Sequence, residues 1–92
     1  MEGQEPKTDQ LKAAALSFDE ARDMAPRLMA RGEGELGERI LELARRHNVT
    51  IVQDPSLTDF LQGVKVGQEI PENLYRAVSR IFAYLYQTQG KY

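Results

Sequence analysis

Apolar and polar residues alternate in two short segments near the N-terminus, which predicts two β-strands there. In residues 12–18 the alternation places three side chains on one face, namely Ala14, Leu16 and Phe18. In residues 27–31 it places Leu28 and Ala30 on one face. A period of two is typical of strands with one buried face. The charged segment between the two strands is predicted to form a loop or a single helical turn.

Residues 35–47 show the three-to-four spacing of an amphipathic helix. Its apolar stripe, which we expect to be buried, consists of Leu36, Ile40, Leu43, Ala44 and His47. Asn48 suits the left-handed conformation that ends many helices. The β-branched residues 49–52 follow and predict a third strand. A strand, a helix and a strand in this order predict a βαβ unit with a parallel pair and a right-handed crossover.

Two further helices are predicted in the C-terminal half. Asp54 and Pro55 suit the N-cap and first position of a helix. Its buried residues are predicted to be Leu57, Phe60, Leu61 and Val64. Pro71 opens the last helix, whose apolar residues form two adjacent lines, Leu74, Val78, Ile81 and Leu85, and then Tyr75, Phe82 and Tyr86. The predicted fold class is α/β, a small single domain with a mixed sheet of three or four strands, a βαβ unit and three or four flanking helices.

Length and composition narrow the class of protein. The 92 residues, with 41% hydrophobic and 28% charged types, fit one globular domain. Residues 1–11 are almost all polar and predict a disordered arm, residues 12–88 the domain, and residues 89–92 a short tail. A formal net charge of -2 argues against nucleic acid as a partner. With no apolar run long enough to span a bilayer and no secretory signal, we expect a cytoplasmic protein.

The residue chemistry indicates no catalytic or cofactor site. His47 is the only histidine and the chain has no cysteine, so the usual four-ligand zinc site cannot be built, and we interpret His47 as structural. Gly32 and Gly34 precede a helix as phosphate loops do, but the flanking Glu33 and Glu35 would repel an anion. We therefore interpret the two glycines as a turn that ends the second strand. No metal, cofactor or small-molecule substrate is predicted, and a binding module is favoured.

Three stretches resemble one family of bacterial export proteins. Residues 25–32, Ala-Pro-Arg-Leu-Met-Ala-Arg-Gly, resemble the Ala-Pro-x-Val-x-Ala-Lys-Gly segment in the C-terminal cytoplasmic domain of the FlhB family, the type III export-switch proteins. Residues 54–57 with Leu61 are similar to the family's Pro-Pro-Leu-Ala-Arg-x-Leu helix. Residues 66–75, Val-Gly-Gln-Glu-Ile-Pro-Glu-Asn-Leu-Tyr, are similar to its most specific motif, Val-Gly-Gln-Glu-Ile-Pro-Glu-x-Leu-Tyr. The resemblance extends from about residue 13 to residue 86.

The sequence departs from the family's pattern in two respects. Family members are anchored in the inner membrane by an N-terminal helical region, for which this sequence shows no counterpart. They also cleave themselves at an Asn-Pro-Thr-His motif, which in register falls on residues 8–11, Thr-Asp-Gln-Leu. None of these four residues matches, and no Asn-Pro dipeptide occurs in the sequence. We therefore expect no self-cleavage and no enzymatic activity.

The resemblance implies a site for protein partners. The family docks export substrates on an apolar patch formed by its Ala-Pro pair and its last helix. In register this patch consists of Ala25, Pro26, Ser79 and Phe82. Ser79 is polar where alanine is common in the family. Phe82 could belong either to this patch or to the core.

The resemblance also implies a function. The chain is expected to be a protein-binding module of flagellar or type III export that docks export substrates or export-gate components. It would substitute for, or compete with, the C-terminal domain of the membrane-bound switch protein, at the periphery of the inner-membrane export gate. The alternative is an adaptor of the same fold with no role in secretion. Because the family's sheet has a further strand upstream, we also expect an uncovered sheet edge at residues 13–18 that could accept a partner's strand.

Overall fold

The computed structural model describes residues 11–88, and within them two strands and three α-helices surround a small core. The elements are β1 (Lys12–Ser17), β2 (Arg27–Glu33), α1 (Glu35–Arg46), α2 (Pro55–Leu61), a 3₁₀ turn (Glu72–Leu74) and α3 (Tyr75–Thr88). The predicted α/β class is confirmed. Apart from Leu11, the predicted arm and tail lie outside the described residues.

A β-bulge separates the two ends of the antiparallel β1–β2 pair. Ala15 lies opposite Ala30, but the next residue, Leu16, lies opposite Leu28, so Met29 is an additional residue on β2. Because adjacent residues of a strand point to opposite faces, the bulge places Leu28 and Ala30 on different faces. The prediction that they share a face is therefore wrong.

The hydrophobic core lies between one face of this sheet and the helices α2 and α3. The buried cluster consists of Ala25, Leu28, Leu57, Leu61, Ile70, Leu74 and Val78. Ala14 and Leu16 of β1 pack against it, as the alternation predicted. The line Leu74, Val78 and Ile81 along the last helix also packs there, so this part of the prediction is confirmed.

The opposite face of the sheet is covered by α1, whose closest backbone approach to the sheet is at a glycine. Within α1 the one buried residue is Gly37, and a Cβ atom there would lie only 3.2 Å from the carbonyl oxygen of Gly32. Leu36 and Leu43 are 57% and 38% exposed, and His47 is exposed at the C-cap. The predicted buried stripe is wrong at these three positions because the close approach centres the contact on Gly37.

The two glycines before α1 have different roles. Gly34 has a φ of 62°, the left-handed conformation predicted for a turn. Gly32, in contrast, lies inside β2, which continues to Glu33, so the prediction that Gly32 ends the strand is wrong. A Cβ atom on Gly32 would overlap the side chain of Leu36, and this explains why glycine fits here.

Residues 49–52 do not form the predicted third strand, so the βαβ unit is absent and the described sheet has two antiparallel strands. Val49 donates its N–H to Ala44 O at 2.8 Å, beyond the left-handed Asn48 that was predicted to end the helix. Val49, Ile51 and Val52 are 55%, 41% and 42% exposed. β-branched residues favour a strand only where a neighbouring strand can pair with them, and the described residues supply none here.

The starts of the C-terminal helices follow the prediction, whereas one buried position does not. Asp54 caps α2 by accepting the Leu57 N–H at 3.2 Å, with Pro55 at the first helical position. Phe60, predicted to be buried, is 62% exposed, because α2 ends at Leu61 and presents only Leu57 and Leu61 to the core. The last helix begins after Pro71, first as a 3₁₀ turn and then as α3.

Both outer edges of the sheet are partly covered. Residues 67–70 run along β2, where Leu28 donates its N–H to Gln68 O and Ile70 donates to Pro26 O. On the β1 side, the Gln62 amide donates to Ala13 O at 3.0 Å. The edge at residues 13–18 is thus covered at its start by α2, and strand addition at the remainder stays a prediction.

Candidate functional site

The four residues assigned to the partner site lie on two segments that are far apart in sequence. Ala25 and Pro26 belong to the turn that leads into β2, and Ser79 and Phe82 lie one helical turn apart on α3. The fold brings these two pairs together along one side of α3. All four line the same shallow groove, which we call the front groove.

The front groove has a volume of about 160 Å³ and is mainly apolar. Its lining residues are Phe18, Met24, Ala25, Pro26, Tyr75, Ser79 and Phe82. Ala25 is only 3% exposed and contributes to the floor, whereas Met24 is 87% and Tyr75 38% exposed at the rim. No acid, base or nucleophile other than the Ser79 and Tyr75 hydroxyls lines the groove, so its chemistry suits binding of an apolar segment.

Phe82 belongs both to the core and to the front groove. It packs against the buried cluster, and its ring lies 6.1 Å from that of Phe18 at an interplanar angle of 58°. Such tilted contacts between aromatic rings are favourable and restrict both side chains. The two readings that the sequence left open therefore apply together, since one side of the ring closes the core and the groove lies beside it.

The turn that carries Ala25 and Pro26 is shaped by Asp19. Its carbonyl oxygen accepts the N–H groups of Arg22 and Asp23 at 2.9 and 2.7 Å, and its carboxylate accepts that of Ala21 at 3.0 Å. Aspartate favours such turns because its side chain can bond the backbone two residues on. Of the two predicted alternatives, a loop or a single helical turn, these backbone hydrogen bonds match the single turn.

A polar network holds the end of this turn. The Asp23 carboxylate, 4% exposed, lies 2.9 Å from Nη2 of Arg27 and accepts the Asp19 N–H at 3.2 Å. The hydrogen bond from Arg27, followed by that from the Asp19 backbone, lowers the pKa of Asp23 below its ordinary value. Arg27 also donates from Nη1 to Gly67 O at 2.7 Å. The same Nη2 that bonds Asp23 also lies 3.6 Å from Glu69, whose carboxylate accepts the Met24 N–H at 3.2 Å.

Several residues of the front groove and of its support were not predicted from the sequence. The lining of the groove also includes Phe18, Met24 and Tyr75. The turn at residues 24–26 is held by the side chains of Asp23, Arg27 and Glu69. Tyr75 could have been found, because it precedes Ser79 by four residues on the same helix face. Glu69 gave no signal, since its proximity to Met24 arises only when residues 67–70 run along β2.

A second groove lies on the opposite flank of α3, and no sequence feature predicted it. This rear groove has a volume of about 230 Å³ and is lined by Val52, Asp54, Ala77, Arg80, Ile81 and Tyr84. Tyr84 is 60% exposed in this groove. The rear groove offers a matched surface for control substitutions.

The described residues 11–88 offer neither a cluster of metal ligands nor a helix that could cross a membrane. Within residues 11–88, no three His, Asp or Glu side chains gather where they could hold a metal ion. In the same part of the chain, no helix combines the length and apolar character needed to cross a membrane.

Comparisons with known proteins agree with the resemblance seen in the sequence. A sequence model described as the FlhB HrpN YscU SpaS Family matches residues 12–85. The protein YlqH of Bacillus subtilis is 38% identical over 76 residues, which cover 83% of this chain and 82% of YlqH. The flagellar biosynthetic protein FlhB of Yersinia enterocolitica is also 38% identical over 76 residues, but these are only 20% of its length. The chain thus corresponds to one part of FlhB.

Solved structures match the fold over most of the chain. The cytoplasmic domain of FlhB from Shewanella putrefaciens superposes with a TM-score of 0.79 and 36% identity, covering 83% of this chain and 64% of that one. The PscU C-terminal domain gives a TM-score of 0.77 at 20% identity and is covered to 96%. The second match supports the fold alone.

Proposed function

Because this chain belongs to the FlhB HrpN YscU SpaS family, we propose that it is a protein-binding module of flagellar or type III protein export. The front groove is its proposed binding site, and an apolar segment of an export substrate or of an export-gate component is the proposed ligand. It is proposed to act in the cytoplasm, at the periphery of the export gate. The residues proposed to contact the partner are Ala25, Pro26, Ser79 and Phe82.

The observation that carries this proposal is the convergence of these four residues. More than fifty positions separate Pro26 from Ser79 in the sequence, and yet both line one groove of about 160 Å³. The resemblance assigned them in register with the family's patch, and the structure of this chain places them side by side. Their gathering on one surface supports a shared role in binding.

The chemistry of the rim supports a protein ligand. Met24 is 87% exposed, although a methionine side chain is apolar and normally buried. Methionine adapts its shape to different partners, and tyrosine and methionine are both enriched at protein interfaces. An exposed methionine next to a half-exposed tyrosine therefore suits a surface that accepts several related segments.

The chain is proposed to take the place of the C-terminal domain of a membrane-bound homologue, either by substituting for it or by competing with it. The match to 20% of FlhB supports a role that corresponds to this part of the relative. Self-cleavage is not expected of it, because the sequence contains no Asn-Pro dipeptide. Intact mass after prolonged incubation at neutral pH tests that expectation, and two fragments would contradict it.

Direct binding tests the proposed function. The immobilised chain is challenged with purified early export substrates and with the cytoplasmic components of the export apparatus from the organism that encodes it. The wild type should bind at least one of them. Ser79→Glu and Met24→Asp place a charge in or beside the front groove at exposed positions and should abolish that binding without unfolding the protein. Pro26→Asp and Phe82→Asn extend the test to the two half-buried contacts, of which Phe82 also packs against the core.

The matched control is Tyr84→Asp in the rear groove. Tyr84 is 60% exposed on the opposite flank of α3, so its loss should leave binding unchanged. Absence of binding by the wild type to every component would contradict the proposed function and favour an adaptor outside secretion. Equal losses in the front-groove and rear-groove variants would contradict the proposed site.

Export measured in two strains distinguishes a chain that replaces the homologue's C-terminal domain from one that competes with it. In a strain whose membrane-bound homologue lacks its C-terminal domain, expression of this chain restores export if it substitutes. In a strain with the intact homologue, overexpression lowers export if it competes. If export is neither restored in the first strain nor lowered in the second, both proposed roles are contradicted.

A further inference from the structure

The front groove has one wall that no helix or strand holds in place. Residues 24–26 lie between the turn at Asp19 and the start of β2. Met24, 87% exposed, gains little from burial. Ala25, 3% exposed in the buried cluster, fixes the middle of this wall, so the position of its Met24 end must come from specific contacts. An end that moved would change the width of the groove.

Arg27 supplies the contacts that connect this wall to the rest of the molecule. One end of its guanidinium group, Nη2, lies 2.9 Å from the Asp23 carboxylate, and the other, Nη1, lies 2.7 Å from Gly67 O. A single side chain thus joins the residue before Met24 to the segment that runs along the outer edge of β2.

Glu69 also supports the wall formed by residues 24–26. Its Oε2 atom lies 3.6 Å from Arg27 Nη2 and accepts the backbone N–H of Met24 at 3.2 Å. The next residue, Ile70, donates its N–H to Pro26 O at 2.8 Å. The two ends of the wall are therefore each bonded to residues 69–70, and Arg27 holds that segment against the turn.

The arrangement needs the shape of arginine and not merely its charge. A guanidinium group is planar and directs several N–H donors at fixed angles, so it can bond a carboxylate and a carbonyl oxygen on different sides at once. A lysine ammonium is a single point charge at the end of a flexible chain. Lysine at position 27 could approach Asp23 or Gly67, but it would not bridge them in the same geometry.

We propose that Arg27, together with Asp23 and Glu69, is a positioning residue that sets the width of the front groove and thereby its affinity for a partner. The expected effect on affinity rests on the proposed function, since the partner is the one proposed for this groove. The positioning itself can be measured without any partner. It also assigns a role to the motif at residues 66–75, which supplies both Gly67 and Glu69.

Amide hydrogen exchange of the unliganded protein, followed by NMR, tests the positioning. In Arg27→Lys, exchange of the Met24 and Ile70 amides should accelerate at least tenfold, about 1.4 kcal/mol of local opening. Exchange of the Val78 amide, in the middle of α3, should stay unchanged because it reports global unfolding. The affinity for the export substrate that the wild type binds should fall about tenfold in the same variant.

Arg31→Lys is the matched control. Arg31 is a second half-buried arginine of β2 and donates from Nε to Val64 O at 2.7 Å, but it does not contact residues 23–26. Its substitution should leave exchange at Met24 and Ile70 as in the wild type. Acceleration of the same size in both variants would contradict a specific role for Arg27.

Two results would overturn the proposal. Unchanged exchange at Met24 and Ile70 in Arg27→Lys would show that the wall is held without Arg27. An equal acceleration at Val78 would show that Arg27 only stabilises the whole fold. If no export substrate binds the wild type but Met24 and Ile70 accelerate selectively, the positioning is upheld and the proposed function fails.

Discussion

The two faces of the β1–β2 sheet are covered in different ways. On the α2 and α3 side, branched side chains fill the interior, and Leu28 and Val78 are 0% and 1% exposed. On the α1 side, Gly37 brings the helix backbone close to the Gly32 carbonyl, and Leu36 remains 57% exposed. Both α1 and α3 carry apolar residues at helical spacing, but only those of α3 pack into the hydrophobic core.

The difference shows that close backbone contact and side-chain burial compete on a sheet this small. Where α1 approaches through Gly37, its large side chains are only partly covered, and Leu36 lies against Gly32 yet remains 57% exposed. Full burial of a leucine or valine side chain contributes about 1.5–3 kcal/mol, so most of the hydrophobic stabilisation comes from the α2 and α3 face. The front groove is built on that face, whose packed core gives it a rigid base.

The largest expected effect comes from truncating a core residue of the α3 face. Leu28→Ala should lower the free energy of unfolding by about 2–5 kcal/mol, because the cavity is fully enclosed. Leu43→Ala on α1 should cost only about 1 kcal/mol, since Leu43 is already 38% exposed. Urea unfolding of the two variants measures the contrast. Equal losses would mean that α1 buries its leucines as well.

A second substitution tests the glycine contact of the α1 face. In Gly37→Val the new side chain would begin 3.1 Å from Leu11 O and 3.2 Å from Gly32 O, so α1 must move away. We expect a loss of about 1–3 kcal/mol in thermal or urea unfolding. Gly63→Ala is the control, because its nearest neighbour would be Phe60 O at an ordinary 3.6 Å, and it should change stability by less than about 0.5 kcal/mol. A stable Gly37→Val variant would contradict the close approach.

A third prediction concerns the stability of the protein in acid. It tests the turn at Asp23, which belongs to neither face of the sheet. The pKa of Asp23 is lowered by its hydrogen bond from Arg27, so its stabilising contribution is present at neutral pH. It is lost as the pH falls below the ordinary value of 3.8 and through the lowered pKa. The melting temperatures of the wild type and Asp23→Asn, followed from neutral to acidic pH, should therefore differ at neutral pH and converge in acid. A difference in melting temperature that stays the same at every pH would contradict the stabilising role of the ionised Asp23 carboxylate.

The smallest effect is expected on the solvent side of α1. Glu42 lies 3.4 Å from Arg46 and 3.7 Å from Arg39, and all three side chains are more than half exposed. Glu42→Gln should change the free energy of unfolding by less than about 0.5 kcal/mol, because exposed ion pairs gain little over hydration. A loss comparable to that in Leu28→Ala would show that α1 depends on its charges.

The site illustrates how far residue patterns and family motifs can reach. The motifs identified Ala25, Pro26, Ser79 and Phe82, and the helical spacing would have added Tyr75. The support of the groove could not be found in this way. Arg27 and Gly67 are forty residues apart, and no local pattern relates them until residues 67–70 run along the edge of β2.

Local signals determined the elements of this fold. The alternation in β1, the Asp54–Pro55 cap of α2, the left-handed Asn48 and the apolar line of α3 all act within a few residues, so the sequence by itself predicted them. Only the tertiary structure decided the rest, because it depends on distant neighbours. Residues 49–52 have the propensity of a strand but find no described strand to pair with, and α1 turns its glycine inward because of Gly32. The front groove exists because α3 packs beside a turn that is held by its own Asp23, the neighbouring Arg27 and the distant Glu69.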